Sequence, residues 1–513
     1  MIQSFMQNKK APYVVMVLVA VSGMAFFLLN AHWGIGVDYD SLFYMNSAQN
    51  LLAGNGLKWF GGGNSLQILT HYPPLYPVLI AFVNLLIPDQ LQASTWLGAL
   101  LFAVNILLVG IFVYIFSRNF IASLVAMFVI FLSPDLVDTQ LWAMSETLFF
   151  VWMLLSLILL VSYINHDRGR DLLGAAIAAA FACLTRYVGV TIVLTGLIAL
   201  LIYKPGIASK LRSALVYGAI SLIPLGLWYL RNYFQTGSLA NRDLTYHQIT
   251  KVALGLGYRT VLGWFFPFRW AYQWKIIFLV ALGLVLLAWF GLYLWKLWRA
   301  DPQDKDAALS KKLFVILLVF FAVYTAFMWF SMTYVDASTR LNERILSPLH
   351  WTLLLLFCLP VMVLPRRALF IGALLAVLSV IAFLPGTRDI WSTFRNSGLG
   401  LSSKEWRNSP SVQYAQVLAP NALIYSNEAV ALQYQTGLPV YSIPQKFDKV
   451  KREDLVDFES NMALMRRNLQ QDDAYLILFK ARKGDEYPSV EILSEGLTLV
   501  KDLDDGLVYQ YQP

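Results

Sequence analysis

Long apolar runs, separated by short basic or aromatic turns, dominate the chain from residue 12 to residue 386. A helix rising 1.5 Å per residue needs about 20 apolar residues to cross a hydrocarbon core of about 30 Å. Runs that meet or approach this length cover 12–31, 93–116, 120–134, 141–164, 172–185, 187–203, 212–230, 275–297, 312–333, 345–364 and 367–386. They predict about eleven spans, several of them short. One more apolar stretch, Pro74–Pro88, is bracketed by prolines and is either a twelfth span or a helix lying at the interface. After Pro385 the pattern changes. Ala422–Ser426, Pro439–Ile443, Ala474–Phe479 and Leu507–Tyr511 read as short strands, with amphipathic helices near 408–418 and 452–470 between them. Strands alternating with helices over about 120 residues predict a small α/β domain with its own core.

Charge decides between the two readings of Pro74–Pro88. If that segment does not cross and Lys9 and Lys10 are cytoplasmic, then Arg118, Arg168, Arg170 and the Lys204–Arg212 turn all fall inside. So do the Lys296–Lys312 loop and the pair Arg366 and Arg367. A crossing would turn every one of these basic turns outward, against the preference of short loops for positive charge on the cytoplasmic side. Residues 32–92 are therefore read as one long external loop with an interfacial helix. The transmembrane domain covers 1–389, and the odd span count puts the α/β domain, 390–513, outside. The basic stretch Met1–Lys10 leads into the first span with no small-residue cleavage site, as in a retained signal anchor.

Composition agrees. Hydrophobic residues make up 58% and charged residues 14% of the chain, against about 25% charged in soluble domains, and the mean hydropathy is +0.58. The fold class is a polytopic α-helical membrane protein with a small C-terminal extracytoplasmic α/β domain. The net charge of +8 follows from the loop distribution and forms no long basic tract, so no nucleic-acid partner is expected. Cys183 and Cys358 both lie in apolar spans, which supports neither a disulfide framework nor a cysteine metal site. Five histidines are scattered along the chain, so a histidine-rich metal site is not expected, while a carboxylate-bound divalent ion stays open. The run Gly61-Gly62-Gly63 lacks the Gly-Lys-Ser continuation of a phosphate loop.

The external face collects the remaining polar residues. The first loop holds Asp38, Asp40, Lys58 and His71; the second holds Asp135 and Asp138, with Glu146 one or two turns into the next helix. Arg186 sits at a short external turn. The segment 231–274 carries Arg231, Arg242, Arg259 and Arg269, and the fifth loop carries Asp336, Arg340, Glu343 and Arg344. Arginines near apolar helix ends on this side run against the charge rule and call for an anionic partner, although a snorkelling interfacial arginine has the same signature. Asp40 has two readings, as helix N-cap and as functional carboxylate. A charge inside a span costs about 2.5–3.5 kcal/mol, so Glu146 needs a partner or a wet cavity. The cluster Trp264–Trp270 is either a membrane anchor or a contact for a lipid or sugar.

The spacing Asp40-Ser41-x-x-Tyr44-x-x-x-Ala48-x-x-Leu51, followed by Pro73-Pro74-Leu75-Tyr76-Pro77, resembles the first external loop of GT-C glycosyltransferases. The similarity is to the branch of protein O-mannosyltransferases and lipid A aminoarabinose transferases. Ser145-Glu146 at the head of a span, Leu184-Thr185-Arg186-Tyr187, and Trp228 through Asn232 with Gly237-Ser238 fit the same pattern, as does Glu343 through Pro348. The resemblance runs in order over roughly residues 10–390. One departure is Ser41, where the family often has glutamate, which leaves open whether Asp38 substitutes.

The resemblance implies transfer of a sugar from a polyprenyl-phosphate carrier to an acceptor hydroxyl on the outer face, with inversion. It implies catalytic roles among Asp40, Glu146 and Asp38, and substrate contacts from Arg344, Arg231, Arg186, His71, Tyr44, Lys58 and Arg340. A lipid phosphate leaves without a proton, so one carboxylate base and a cationic clamp suffice, unlike the paired carboxylates of a glycosidase. No cofactor is required. The acceptor is a lipid, a glycan or a protein. Short loops favour a bacterial inner membrane, multi-pass, with the C-terminal domain periplasmic. The competing classes are a lipid or glycan transporter, which tends to show internal repeats and helices broken near the midplane, and a non-catalytic envelope scaffold.

Overall fold

The structure is a computed structural model that describes residues 10–60, 65–240, 244–265, 272–301, 303–450, 452–471, 473–481 and 486–512. Gly61–Gly63, Arg242, Arg269 and the Phe266–Trp270 part of the aromatic cluster lie outside the described residues. Among the described residues eight helices are long and apolar enough to cross a membrane: Ala11–Asn30, Gln90–Ser117, Ser145–His166, Ile207–Thr236, Ile276–Arg299, Lys305–Tyr334, Glu343–Met362 and Leu369–Asn396. Phe120–Leu132 and Pro134–Gln140 form a ninth candidate, bent by 69° at Ser133.

The other two expected spans exist as helices but are short. Gly169–Thr185 has 17 residues and Val190–Tyr203 has 14. At 1.5 Å per residue they reach about 25 Å and 21 Å, less than the core thickness. The eleven apolar runs therefore correspond to eleven helices, of which eight or nine are of span length. The Leu75–Asn84 helix inside Pro74–Pro88 has only ten residues, about half a crossing.

Gly169–Thr185 packs between Ser145–His166 and Ile207–Thr236. Its buried face is a row of alanines, including Ala175, Ala176, Ala179 and Ala182, which lets the backbones approach closely. At its end the chain reverses through the single turn Tyr187–Gly189. A Cβ on Gly189 would lie 2.4 Å from the backbone of Ala182 and Cys183, so only glycine permits this reversal. The turn fixes Arg186 at the junction of the two short helices.

The C-terminal region contains the four expected strands and, among the described residues, three more. β1 (Lys58–Phe60) and β2 (Leu66–Ile68) pair as a hairpin in the first loop. β3 (Leu423–Ser426), β4 (Val440–Ser442), β7 (Ala474–Phe479), β8 (Thr498–Asp502) and β9 (Gly506–Gln510) form a sheet in the order β4-β3-β7-β9-β8. The first three run parallel, with Ile424 opposite Val440 and Tyr475. β9 runs antiparallel to β7 and β8. β5 (Phe447–Asp448) and β6 (Glu453–Asp454) form a separate small hairpin. The helices Pro410–Gln416, Ala429–Thr436 and Phe458–Leu469 accompany the sheet. β8 escapes the sequence pattern because it lies at the sheet edge and is largely exposed.

This α/β unit is tied to the first loop. Val37 pairs with Gly400 and Gly36 with Trp142 in parallel bridges. Leu401 donates to the Val37 carbonyl at 2.7 Å, and Ser402 to that of Ile35 at 2.7 Å. Gly400 has φ +58°, and a Cβ there would meet the Val37 carbonyl oxygen at 2.2 Å. Residues 35–37 are thus held between the segment leading to Glu146 and the start of the α/β unit.

Candidate functional site

Directly after this clamped segment comes the helix Tyr39–Leu52. Its N-cap is Asp38, which accepts from the Tyr39 backbone at 2.8 Å, while the Ser41 hydroxyl accepts from the Asp38 backbone at 3.0 Å in a capping box. The capping reading of Asp40 is therefore corrected: Asp38 caps, and Asp40 in the first turn is left for other contacts. Ser41, where the resembling family often carries glutamate, has a structural task in this box.

Asp40 belongs to a network of four charges. Arg344 reaches Asp40 Oδ2 at 2.5 Å and also binds Glu146 Oε1, on which Arg186 converges from the other side. Two carboxylates and two guanidiniums alternate, so the cluster is neutral. Glu146 is the second residue of Ser145–His166, not one or two turns inside it. At this helix N-terminus the backbone dipole and the two arginines offset the cost of burying its charge. Its Oε2 finds no hydrogen-bond partner among the described residues.

The network is closed at one end and open at the other. The Glu146 side chain is 2% exposed and that of Arg186 16%, against 27% for Asp40 and 25% for Arg344. A ligand from outside therefore meets Asp40 and Arg344 first. Burial opposes ionisation of Asp40, but Arg344, the hydroxyl of Tyr72 and Arg186 outweigh it and hold the carboxyl below the ordinary carboxylate range. Tyr72 donates to Asp40 Oδ1 at 2.6 Å.

The surrounding aromatics fix this geometry. Tyr44 lies edge-on to Tyr72 and Tyr76, and its hydroxyl meets Ser145 Oγ at 3.1 Å. Arg186 Nη1 lies 3.4 Å from the same Ser145 oxygen. His71 packs its ring edge-on to Tyr72, 4.8 Å between centroids. Tyr72 and Ser145 carry no signal of their own in the sequence, although they stand next to the candidates His71 and Glu146.

The other expected site residues lie elsewhere. Arg231 stacks over Trp228 and donates to the Leu69 carbonyl at 2.7 Å and to Asn232 at 2.9 Å. It braces the loop that presents His71 and Tyr72, with Tyr187 bonding the Thr70 carbonyl beside it at 2.8 Å. Lys58 lies in β1, where its carbonyl accepts from Asn50, and Arg340 is exposed in the turn before Arg344. Asp135 and Asp138, on the short helix after the bend, are within electrostatic reach of Glu343 and form a separate acidic group. Among the described residues no group of three or more His, Cys, Asp or Glu is placed to hold a metal ion.

Beside Glu343–Cys358 runs an apolar cavity of about 390 Å³, with Trp264, His350, Phe357 and Leu375 among its walls. Trp264 and His350 stack at 4.6 Å. Ile121 and Val125 at its rim are exposed, so it opens on the outer surface of the helix bundle.

Comparison with known proteins agrees with this architecture. Residues 71–230, which contain Tyr72, Glu146 and Arg186, match the family model of dolichyl-phosphate-mannose-protein mannosyltransferases. ArnT from Cupriavidus metallidurans, solved bound to undecaprenyl phosphate, superposes with a TM-score of 0.57 at 12% identity, covering 99% of this chain and 100% of that one. Its apo form gives 0.55 at 12% identity, covering 98% of each chain. No curated protein sequence matches. The chain shares the fold of these ArnT structures, and it resembles the O-mannosyltransferase and ArnT branch of the GT-C glycosyltransferases.

Proposed function

We propose that this membrane protein transfers a sugar from a polyprenyl-phosphate carrier to an acceptor hydroxyl on the extracytoplasmic face of a bacterial inner membrane, with inversion at the anomeric carbon. The observation that carries this reading is the Asp40–Arg344–Glu146–Arg186 network, closed at Glu146 and open at Asp40 and Arg344. In the resting arrangement Arg344 occupies the very carboxylate that would act as base. A donor phosphate at the open end competes for Arg344, which stays anchored by Glu146. Release of Arg344 leaves Asp40 Oδ2 free, while Tyr72 keeps Oδ1 oriented.

The acceptor O–H then gives its proton to Asp40 as its oxygen bonds the anomeric carbon. The bond from that carbon to the phosphate oxygen breaks, and the electron pair leaves with the carrier phosphate. One displacement from the opposite face inverts the centre. The leaving phosphate gains negative charge, which Arg344, supported by Arg186, is placed to stabilise more strongly than the charge of the intact donor. No nucleotide or redox cofactor enters the scheme. The apolar cavity beside the helix of Arg344 suits the polyprenyl tail: His350 on its wall lies six residues further on, about 9 Å along the axis. Asp38, as helix cap, would set the direction of Asp40 instead of reacting. The roles of His71, Tyr44 and Arg231 would be to position Tyr72 and its loop.

The test is transfer from labelled polyprenyl-phosphate sugars in membranes, comparing wild type with Asp40→Asn at equal expression. A positioned base is worth about 10²–10⁴-fold, so the variant should lose at least two orders of magnitude in rate while still retaining carrier phosphate. Equal rates would remove Asp40 as base, and absence of transfer by wild type across a broad panel of sugar donors would overturn the reading as a whole.

A further inference from the structure

A second cavity, of about 680 Å³, lies between the Tyr39–Leu52 helix and the α/β unit. Its wall on the helix is formed by Met45, Asn46 and Gln49, one and a half to two and a half turns beyond Asp40 and on the face turned away from it. The opposite wall is the Ala429–Thr436 helix, through Gln433, Tyr434 and Gln435. It is thus a separate site that shares an element with the reaction centre.

The chemistry of the lining is narrow. Five residues with side-chain amides, Asn46, Gln49, Gln90, Gln433 and Gln435, line one space. Gln90 and Gln435 are held in place by bonds to the backbone carbonyls of Met45 and Leu401. The amides of Asn46 and Gln49 have no partner among the described residues. The charges reduce to Asp89 and Arg407, which offset each other, and Phe60 and Tyr434 add aromatic faces. An anion or a cation would find no excess of countercharge here, and a lipid tail would offer the amides of Asn46 and Gln49 no hydrogen bond. A neutral ligand dense in hydroxyl groups satisfies them, because each amide both donates and accepts.

The cavity is also pre-formed. Tyr39, next to Asp40, bonds Glu428, next to the opposite wall. The pairing of Val37 with Gly400 and of Ile35 with Ser402 closes the same junction from below. A ligand here would pay little to order its site, and its volume lies within the range of small-molecule sites.

We infer that this cavity binds a neutral glycan portion of the acceptor, remote from the hydroxyl that reacts. The acceptor role rests on the proposed glycosyltransferase function, but the binding itself does not require turnover. The test uses the full chain in nanodiscs, with a panel of gluco-, manno-, galacto- and N-acetylglucosamine-configured trisaccharides, read by saturation-transfer NMR. At least one trisaccharide should bind to wild type and equally to Asp40→Asn. Binding should weaken at least tenfold in Gln49→Trp, which fills the cavity, and in Asn46→Leu, which strips an amide. Retention of polyprenyl phosphate by both variants, equal to wild type, controls for folding. With a glycan acceptor in hand, the same two variants should raise the acceptor KM and leave kcat close to wild type. Failure of every trisaccharide to bind, or binding that survives Gln49→Trp, overturns the site. Binding that holds while acceptor KM is unmoved overturns its acceptor role alone, and loss of transfer with binding intact counts against the reaction instead.

Discussion

Glu146→Gln separates a network organised around one buried charge from four side chains that are merely close. The substitution keeps the shape of the side chain and removes its charge. The cluster then changes from neutral to a net charge of +1, with Arg186 and Arg344 sharing a site whose common anion is gone. Removing one partner from a buried ion pair costs about 3–5 kcal/mol, because the partner's charge remains desolvated. Glu146 is 2% exposed, so solvent screens little at the centre, but Arg344 at 25% relaxes toward water, which favours the lower half of that range. The assay is unfolding of the purified protein in mixed micelles, alongside Arg186→Gln and the double variant. The double variant restores neutrality and should regain part of the loss, with a coupling energy of about 1–3 kcal/mol. Ser145→Ala, which removes an uncharged neighbour of Tyr44 and Arg186, should cost about 1 kcal/mol. A loss below about 1 kcal/mol in Glu146→Gln, or strict additivity with Arg186→Gln, would refute the account.

Tyr72→Phe removes the hydroxyl that helps keep the Asp40 carboxyl below its ordinary range, so that carboxyl should rise. The carboxylate must be ionised to accept a proton, and activity falls as pH drops through its pKa. The acid limb of the kcat/KM profile should therefore move to higher pH, and an unmoved limb would show that another group sets it. The stability contributed by a depressed carboxylate is present above its unfolded-state pKa and lost as pH falls through the folded one, so the variant should also lose stability at a higher pH than wild type. Gly400→Ala places a Cβ at φ +58° against the Val37 carbonyl. It should cost at least about 1–2 kcal/mol, seen as a lower melting temperature and faster proteolytic cleavage between the transmembrane helices and the sheet; wild-type values for both would mean that the Val37–Gly400 pairing is dispensable.

The apolar runs determine that helices form and roughly where, since length and hydropathy are local properties that the bilayer tests one segment at a time. Short apolar runs between amphipathic stretches likewise determine β3, β4, β7 and β9, while β8, exposed at an edge, carries no such signal. Motif spacing pointed to Asp40, Glu146, Arg186 and Arg344. It did not distinguish them from Arg231, because an arginine at the end of an apolar helix reads the same whether it meets a carboxylate or a backbone carbonyl. That choice belongs to tertiary structure: Glu146 and Arg344 stand 198 residues apart and meet because two helices begin at the same point. The role of Asp38 as cap was also undetermined, since both aspartates precede the same helix and only the backbone at its first turn selects between them. The contact of the α/β unit with residues 35–39, and the amide-lined cavity it encloses, are decided by packing between segments that no local pattern relates.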